Sequence, residues 1–138
     1  MILVSRRTGV IMPDMGTFRI DVEVADPSRR NDRAHLTAVL IDTGAELSWF
    51  PGRVLESLGI GRVKLVRFRQ ADGSALERWT GAAMVHAAGT MTVDEVVFAE
   101  PGDMTLLGAR SLEGLNVTID PVSKRLVDAG PVSVAAAA

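Results

Sequence analysis

Apolar and polar positions along this chain alternate mostly with a period of two. Phe18, Ile20, Val22 and Val24 alternate with Arg19, Asp21 and Glu23, which predicts a strand with one buried and one wet face. Ala25 to Arg33, with Asp26-Pro27-Ser28 and Asn31-Asp32, reads as a polar connection. The apolar run Leu36 to Ile41 predicts a second strand, which ends at Asp42-Thr43-Gly44. Leu47 to Phe50 predicts a short strand stopped by Pro51-Gly52. Val54, Leu55 and Leu58 lie one helical turn apart with Gly59 behind them, the pattern of a short helix with a glycine stop.

Val63 to Phe68 and Ala75 to His86 read as the two arms of a hairpin tipped by Asp72-Gly73, the strongest turn signal in the chain. Gly89 marks another turn before a strand over Thr90 to Ala99, and Pro101-Gly102 breaks the chain again. Leu106-Leu107-Gly108 leads into a helical turn over Arg110 to Leu115. Val117 to Ile119 and Arg125 to Val127 flank a turn at Pro121 to Lys124. Many short strands with regular turns predict an all-β barrel or sandwich carrying one or two short helices.

The chain of 138 residues is 47% hydrophobic, enough for one domain with a buried core. We take residues 1–138 as that domain, with about 129–138 as a flexible tail. Aromatic residues make up only 4%, so the core must be aliphatic. A net charge of −2 gives no basic field for nucleic acid and no polybasic face for a membrane. No run approaches the roughly 18 apolar residues of a spanning helix, and Met1 to Gly16 is interrupted by Arg6, Arg7, Pro13 and Asp14 where a leader would be apolar. The chain has no cysteine, so no disulfide or thiolate metal site. These features together lead us to expect a cytoplasmic protein with no metal and no cofactor. His35 and His86 lack metal-ligand spacing, and no nucleophile elbow or phosphate loop is present.

The strongest motif is Asp42-Thr43-Gly44. It follows the apolar Val39-Leu40-Ile41, and Leu106-Leu107-Gly108 comes later in the chain. On its own an Asp-Thr-Gly is an ordinary turn with a side-chain hydrogen bond. In this order, the chain from about Thr17 to Val127 resembles the aspartic proteases of the retropepsin type and their bacterial relatives. Those carry D-T-G-A or D-T-G-S after an apolar strand, then a flap hairpin, then a hydrophobic-hydrophobic-Gly strand before a short helix. Ala45 fits the D-T-G-A form, and Trp49 and Pro51 match the D-T-G-x-x-x-x-W-x-P pattern of pepsin-like enzymes. Ala71-Asp72-Gly73 falls where a flap tip belongs.

The resemblance implies a closed retropepsin-like β-barrel and an aspartic endopeptidase. Two carboxylates about 3 Å apart would share one proton, one acting as base on water and the other polarising the scissile carbonyl. No other Asp of the chain is followed by Thr-Gly or Ser-Gly, so the resemblance implies a homodimer with two Asp42 on its axis. Asp42, Thr43 and Gly44 are then catalytic, with Thr43 bracing the opposite subunit and Gly44 leaving room for the carboxylates. Ala45, Ala71, Asp72, Gly73, Ser74 and Leu107 are the implied contacts to a peptide or protein substrate. Trp79 is a weaker substrate candidate, and Trp49 reads as core.

Retropepsins also pair an acid after D-T-G-A with an Arg after the second Gly. Here Glu46 and Arg110 are the candidates, with Arg110 one position late. Ile2 to Val4 and Val117 to Val127 are the implied dimer strands. The alternative function is a catalytically silent module of the same fold that dimerises or binds peptides.

Overall fold

A computed structural model of the chain describes residues 18–135. The first described strand, β1 (Arg19–Ala25), follows its alternation: Val22 and Val24 are buried while Arg19 and Asp21 are exposed. Strand β2 (Arg33–Ile41) starts earlier than the apolar run suggested, because Ala34 and Arg33 pair with Val24 and Ala25. Its register against β1 shifts between the Ile20–Val39 and Val22–Leu36 pairs. Ala38 takes a left-handed φ of 54° there. Two β1 side chains hold that bulge, since the Ala38 N–H donates to Asp21 Oδ1 (3.1 Å) and the Ala38 carbonyl accepts from Arg19 Nη1 (3.2 Å). Beyond the bulge Val39, Leu40 and Ile41 are all buried, and the strand delivers Asp42 straight out of the core.

Strand β3 (Ser48–Pro51) passes into α1 (Gly52–Ser57). The Gly59 stop is realised at φ 80°. Its N–H donates to the Glu56 carbonyl (2.9 Å) and Ile60 N–H to the Leu55 carbonyl (3.0 Å), the bonding pattern of a Schellman end. Strands β4 (Lys64–Arg69) and β5 (Ala75–Ala87) form the expected hairpin. Its tip is a loop closed by Gln70 N–H to the Ser74 carbonyl (2.7 Å) and Gly73 N–H to the Gln70 carbonyl (2.9 Å), with Gly73 at φ 89°. That is a type I turn followed by a glycine bulge. Strand β6 (Thr90–Ala99) follows a tight turn in which Ala88 and Gly89 both have positive φ (52° and 77°). The short β7 (Leu106–Leu107) precedes α2 (Ala109–Leu115), and β8 (Val117–Asp120) pairs with β9 (Arg125–Asp128).

The fold is mostly β, with two short helices and a mixed sheet ringed through six strands. The order is β1-β2-β7-β3-β6-β5, and β5 returns to β1 through pairs such as Val24–Val85. β7 runs parallel to β2 and β3 runs parallel to β6, while the remaining ladders are antiparallel. β4 hangs outside the ring on the first half of β5. Inside lie Val22, Val39, Phe50, Val85, Val96, Phe98 and Leu107, packed against Leu55, Leu112 and Leu115 from the helices. The core is aliphatic with two Phe residues, as the composition requires. Each such side chain contributes about 1.5–3 kcal/mol on burial.

β8 and β9 make their own two-stranded sheet within the chain. Residues just past β9 are tied down: Ala129 N–H donates to the Asn116 carbonyl (2.9 Å) and Asn116 Nδ2 to the Gly130 carbonyl (2.7 Å). The other proposed dimer strand, Ile2 to Val4, lies outside the described residues.

Where the hairpin leaves the ring, Arg78 of β5 holds Asp103 in two bonds, Nε–Oδ2 at 2.7 Å and Nη2–Oδ1 at 2.9 Å. The Glu100 N–H donates to the same carboxylate at 2.8 Å. Both side chains are largely buried. The Arg78 hydrogen bonds are the main reason that the Asp103 carboxyl lies below its ordinary 3.8. Asp103→Ala would leave the Arg78 guanidinium with only the Glu77 carbonyl (2.8 Å) and the exposed Glu100 carboxylate (3.6 Å), and should destabilise the fold by about 2–3 kcal/mol, read as a denaturation midpoint at pH 7. A depressed carboxyl stabilises only while ionised. The loss should therefore be full above the unfolded carboxyl range and vanish as pH falls through the lower folded value. An equal difference between wild type and variant at pH 7 and at pH 2 would refute this assignment.

Candidate active site

Asp42 sits immediately beyond β2, held between two strands. Its N–H donates to the Leu107 carbonyl of β7 (3.0 Å), one residue after Ile41 N–H donates to the Phe18 carbonyl (2.8 Å). The chain then turns: Ala45 N–H donates to the Asp42 carbonyl (3.2 Å) and Gly44 N–H to Asp42 Oδ1 (2.9 Å). The second bond is the one an inert Asp turn would also make. The setting of the turn is more particular. Asp42 is half-buried, while Thr43 and Gly44 are exposed beside it and Ala45 is half-buried. A Cβ on Gly44 would lie 3.2 Å from Asp42 Oδ1, so a side chain there would press on that carboxylate.

The segment after the turn is fastened to α2. Ala109 N–H donates to the Ala45 carbonyl (2.8 Å) and Arg110 N–H to the Glu46 carbonyl (3.0 Å). Beneath them Gly108 N–H donates to Ser48 Oγ (2.9 Å), and Ser48 and Ser111 share a 2.6 Å hydroxyl contact. Both serines are buried. Sequence reading passed over this pair. The available signal was that Ser48 shares the inward face of β3 with Phe50, a polar residue at a core position. The ion pair expected of Glu46 and Arg110 forms at 3.6 Å, with both side chains substantially exposed. One extra residue, Ala109, is accommodated because α2 begins there and turns Arg110 back toward Glu46. An exposed pair of this kind contributes about 0–1 kcal/mol, so the two backbone bonds hold the segment.

Ala71, Asp72, Gly73 and Ser74 are all exposed at the hairpin tip. The Asp72 carboxylate accepts from Ser74 N–H (2.8 Å) and from Ser74 Oγ (2.5 Å). The hydroxyl bond is the main cause of a carboxyl below its ordinary range, so Asp72 is an ionised strut of the turn at neutral pH. The hairpin folds toward the site strands. The Phe68 ring packs on Trp49, centroids 5.1 Å apart and tilted by 54°. Trp49 pairs with Leu106, next to the residue that holds Asp42. Trp49 is thus half-exposed under the hairpin, where sequence reading had it in the core.

Leu107, an expected substrate contact, and Trp79, the weaker candidate, lie elsewhere. Leu107 is wholly buried, because its side chain points into the ring, and only its carbonyl serves the site. Trp79 is exposed on β5, and strand alternation puts it on the hairpin face opposite Arg78 and Phe68. There it lines a groove of about 240 Å³ with Arg53, Arg62 and Pro101. Among the described residues no cluster of three or more His, Asp or Glu side chains is placed to hold a metal ion.

No protein-family model matches the chain, and no curated protein matches it either. Its chemistry is therefore argued from this geometry and from the sequence pattern. Taken alone, one chain offers one half-exposed carboxylate on a rigid turn, with a surface-exposed Thr-Gly edge and a neighbouring hairpin. A single carboxylate can accept a proton from water. It cannot at the same moment supply the acid that peptide hydrolysis needs.

Proposed function

We propose that this protein is an aspartic endopeptidase of the retropepsin-like kind, active as a homodimer, and that the six-strand ring is a closed barrel of that type. The observation that carries the reading is the Asp42 turn. Its carboxylate is fixed by Gly44 N–H and its backbone by Leu107, and its exposed edge is Thr43-Gly44. A twofold copy meeting this edge would bring two Asp42 carboxylates together. One would be ionised as base and one protonated to polarise the carbonyl. Thr43 is the residue on that edge able to bond across the axis. The hairpin from Lys64 to Thr80 would close over an extended peptide and exclude water. The substrate is a peptide or protein, with no cofactor.

Assembly provides the test. If each chain holds half a site, catalysis is linked to dimerisation by mass action. Cleavage of a peptide library should be detectable at micromolar protein. On dilution below the dimer dissociation constant, specific activity should fall, with the rate approaching second order in protein. Specific activity that stays constant where sedimentation shows only monomers would exclude the half-site model. A silent dimerisation or peptide-binding module would dimerise or bind without cleaving at any concentration.

A further inference from the structure

One carboxylate outside the Asp-Thr-Gly turn joins the root of the hairpin to the segment that follows Asp42. Glu95 lies on β6 with its side chain about three-quarters buried. Its Oε2 accepts from the hydroxyl of buried Thr80 at 2.7 Å and lies 3.4 Å from Lys64 Nζ. Thr80 and Lys64 are cross-strand partners, the last pair of the hairpin before β5 enters the ring. The other oxygen, Oε1, lies 3.7 Å from Arg110 Nη1. Arg110 in turn reaches Glu46 at 3.6 Å and donates its N–H to the Glu46 carbonyl. The hairpin root, β6 and α2 thus meet at Glu95, and Arg110 carries the link on to Glu46, four residues past Asp42.

The chemistry suits a mechanical link. A carboxylate accepts several donors at once, and these come from separate elements. Its burial strengthens most the bond to buried Thr80, since Lys64 and Arg110 are themselves exposed. We propose that Glu95 is a positioning residue that fixes the angle of the hairpin root against the Asp42 turn. The hairpin would then close in register with the carboxylate. This rests on the protease reading given above and adds a residue that touches neither substrate nor the reacting atoms.

The test uses amide hydrogen exchange and peptide kinetics on the full chain, with Glu95→Ala and Glu95→Gln. Gln keeps an oxygen for the Thr80 hydroxyl and loses the charge that holds Lys64 and Arg110. In Glu95→Ala, exchange over residues 64–80 should quicken by about tenfold, the loss of one charged bond. Exchange at Val24 and Val39, on the two ring strands that do not touch Glu95, should stay unchanged. The same variant should lose about tenfold or more in kcat/KM, carried mainly by KM; Glu95→Gln should restore most of the hairpin protection through its Thr80 bond but little of kcat/KM, because the charge that holds Arg110 is gone. Exchange that quickens evenly through the chain would reduce Glu95 to a stability residue and overturn the proposal. Unchanged exchange in the hairpin, or a loosened hairpin with unchanged kcat/KM, would overturn it as well. If the wild-type chain cleaves nothing, the protease reading fails. The exchange measurement then still decides whether Glu95 sets the hairpin.

Discussion

Asp42→Asn is expected to lower peptide cleavage by about 10⁴-fold, to background, while leaving the fold intact. Asn has the shape of Asp and keeps an oxygen that can accept from Gly44 N–H, the bond now made to Asp42 Oδ1 at 2.9 Å. The backbone bond to the Leu107 carbonyl does not involve the side chain. The melting temperature should therefore move by no more than about 2 °C. What the substitution removes is the proton chemistry. An amide is neither a base toward water nor an acid toward the carbonyl, and in a dimer of variants neither half supplies one. Mixing adds a second arm. Wild-type chains incubated with an excess of Asp42→Asn chains should lose activity beyond simple dilution, because most wild-type chains would sit in heterodimers with one working carboxylate. Cleavage by Asp42→Asn at the wild-type rate, in a preparation free of other proteases, would sink the mechanism.

What was legible in the sequence was whatever depends on near neighbours. Strand β1 follows from alternation over a few residues, and the end of α1 from Gly59 behind Leu58. Gly73 at the hairpin tip was legible for the same reason, since its positive φ is a local demand. The Ala38 bulge was not, because an alanine at positive φ carries no local signal. It is held by Arg19 and Asp21 from the neighbouring strand. The positive φ of Ala88 is silent in the same way, although Gly89 beside it marked the turn. The Arg78–Asp103 and Ser48–Ser111 contacts join residues far apart in the chain, which only the tertiary fold brings together.

The candidate site shows the same division. The motif pattern located the Asp42 turn and the hairpin tip, but said nothing of which way a side chain would face. That is why Leu107 was assigned to substrate, and why Trp49 was assigned to the core. In a ringed sheet the face is decided by strand register, and β7 is so short that only its pairing with β2 and β3 fixes it.

Gly108→Ala should be among the most damaging single methyls that the described residues could take. Gly108 has extended backbone, φ −95° and ψ −179°, so conformation does not demand glycine there. Space does. An added Cβ would stand 2.5 Å from the Leu47 carbonyl oxygen, 2.6 Å from its carbon and 2.9 Å from the Ala45 carbonyl oxygen. These are backbone atoms, with no flexible side chain to swing aside. The same short segment accepts from Ala109 and Arg110 N–H groups, and Gly108 N–H itself donates to Ser48. Moving the segment away would lengthen those bonds and tilt β7, whose Leu107 carbonyl holds Asp42. The expected cost is about 3 kcal/mol or more, a fall of about 10 °C or more in melting temperature for a chain of this size. Activity should fall further than stability alone explains when measured well below the variant's melting point, because the Asp42 turn shifts with its support. Gly61→Ala is the control: nothing lies within 4 Å of a Cβ there, and its melting temperature should match wild type within about 2 °C. If Gly108→Ala melts with that control, the tight seat of β7 against the turn is not what holds Asp42 in place.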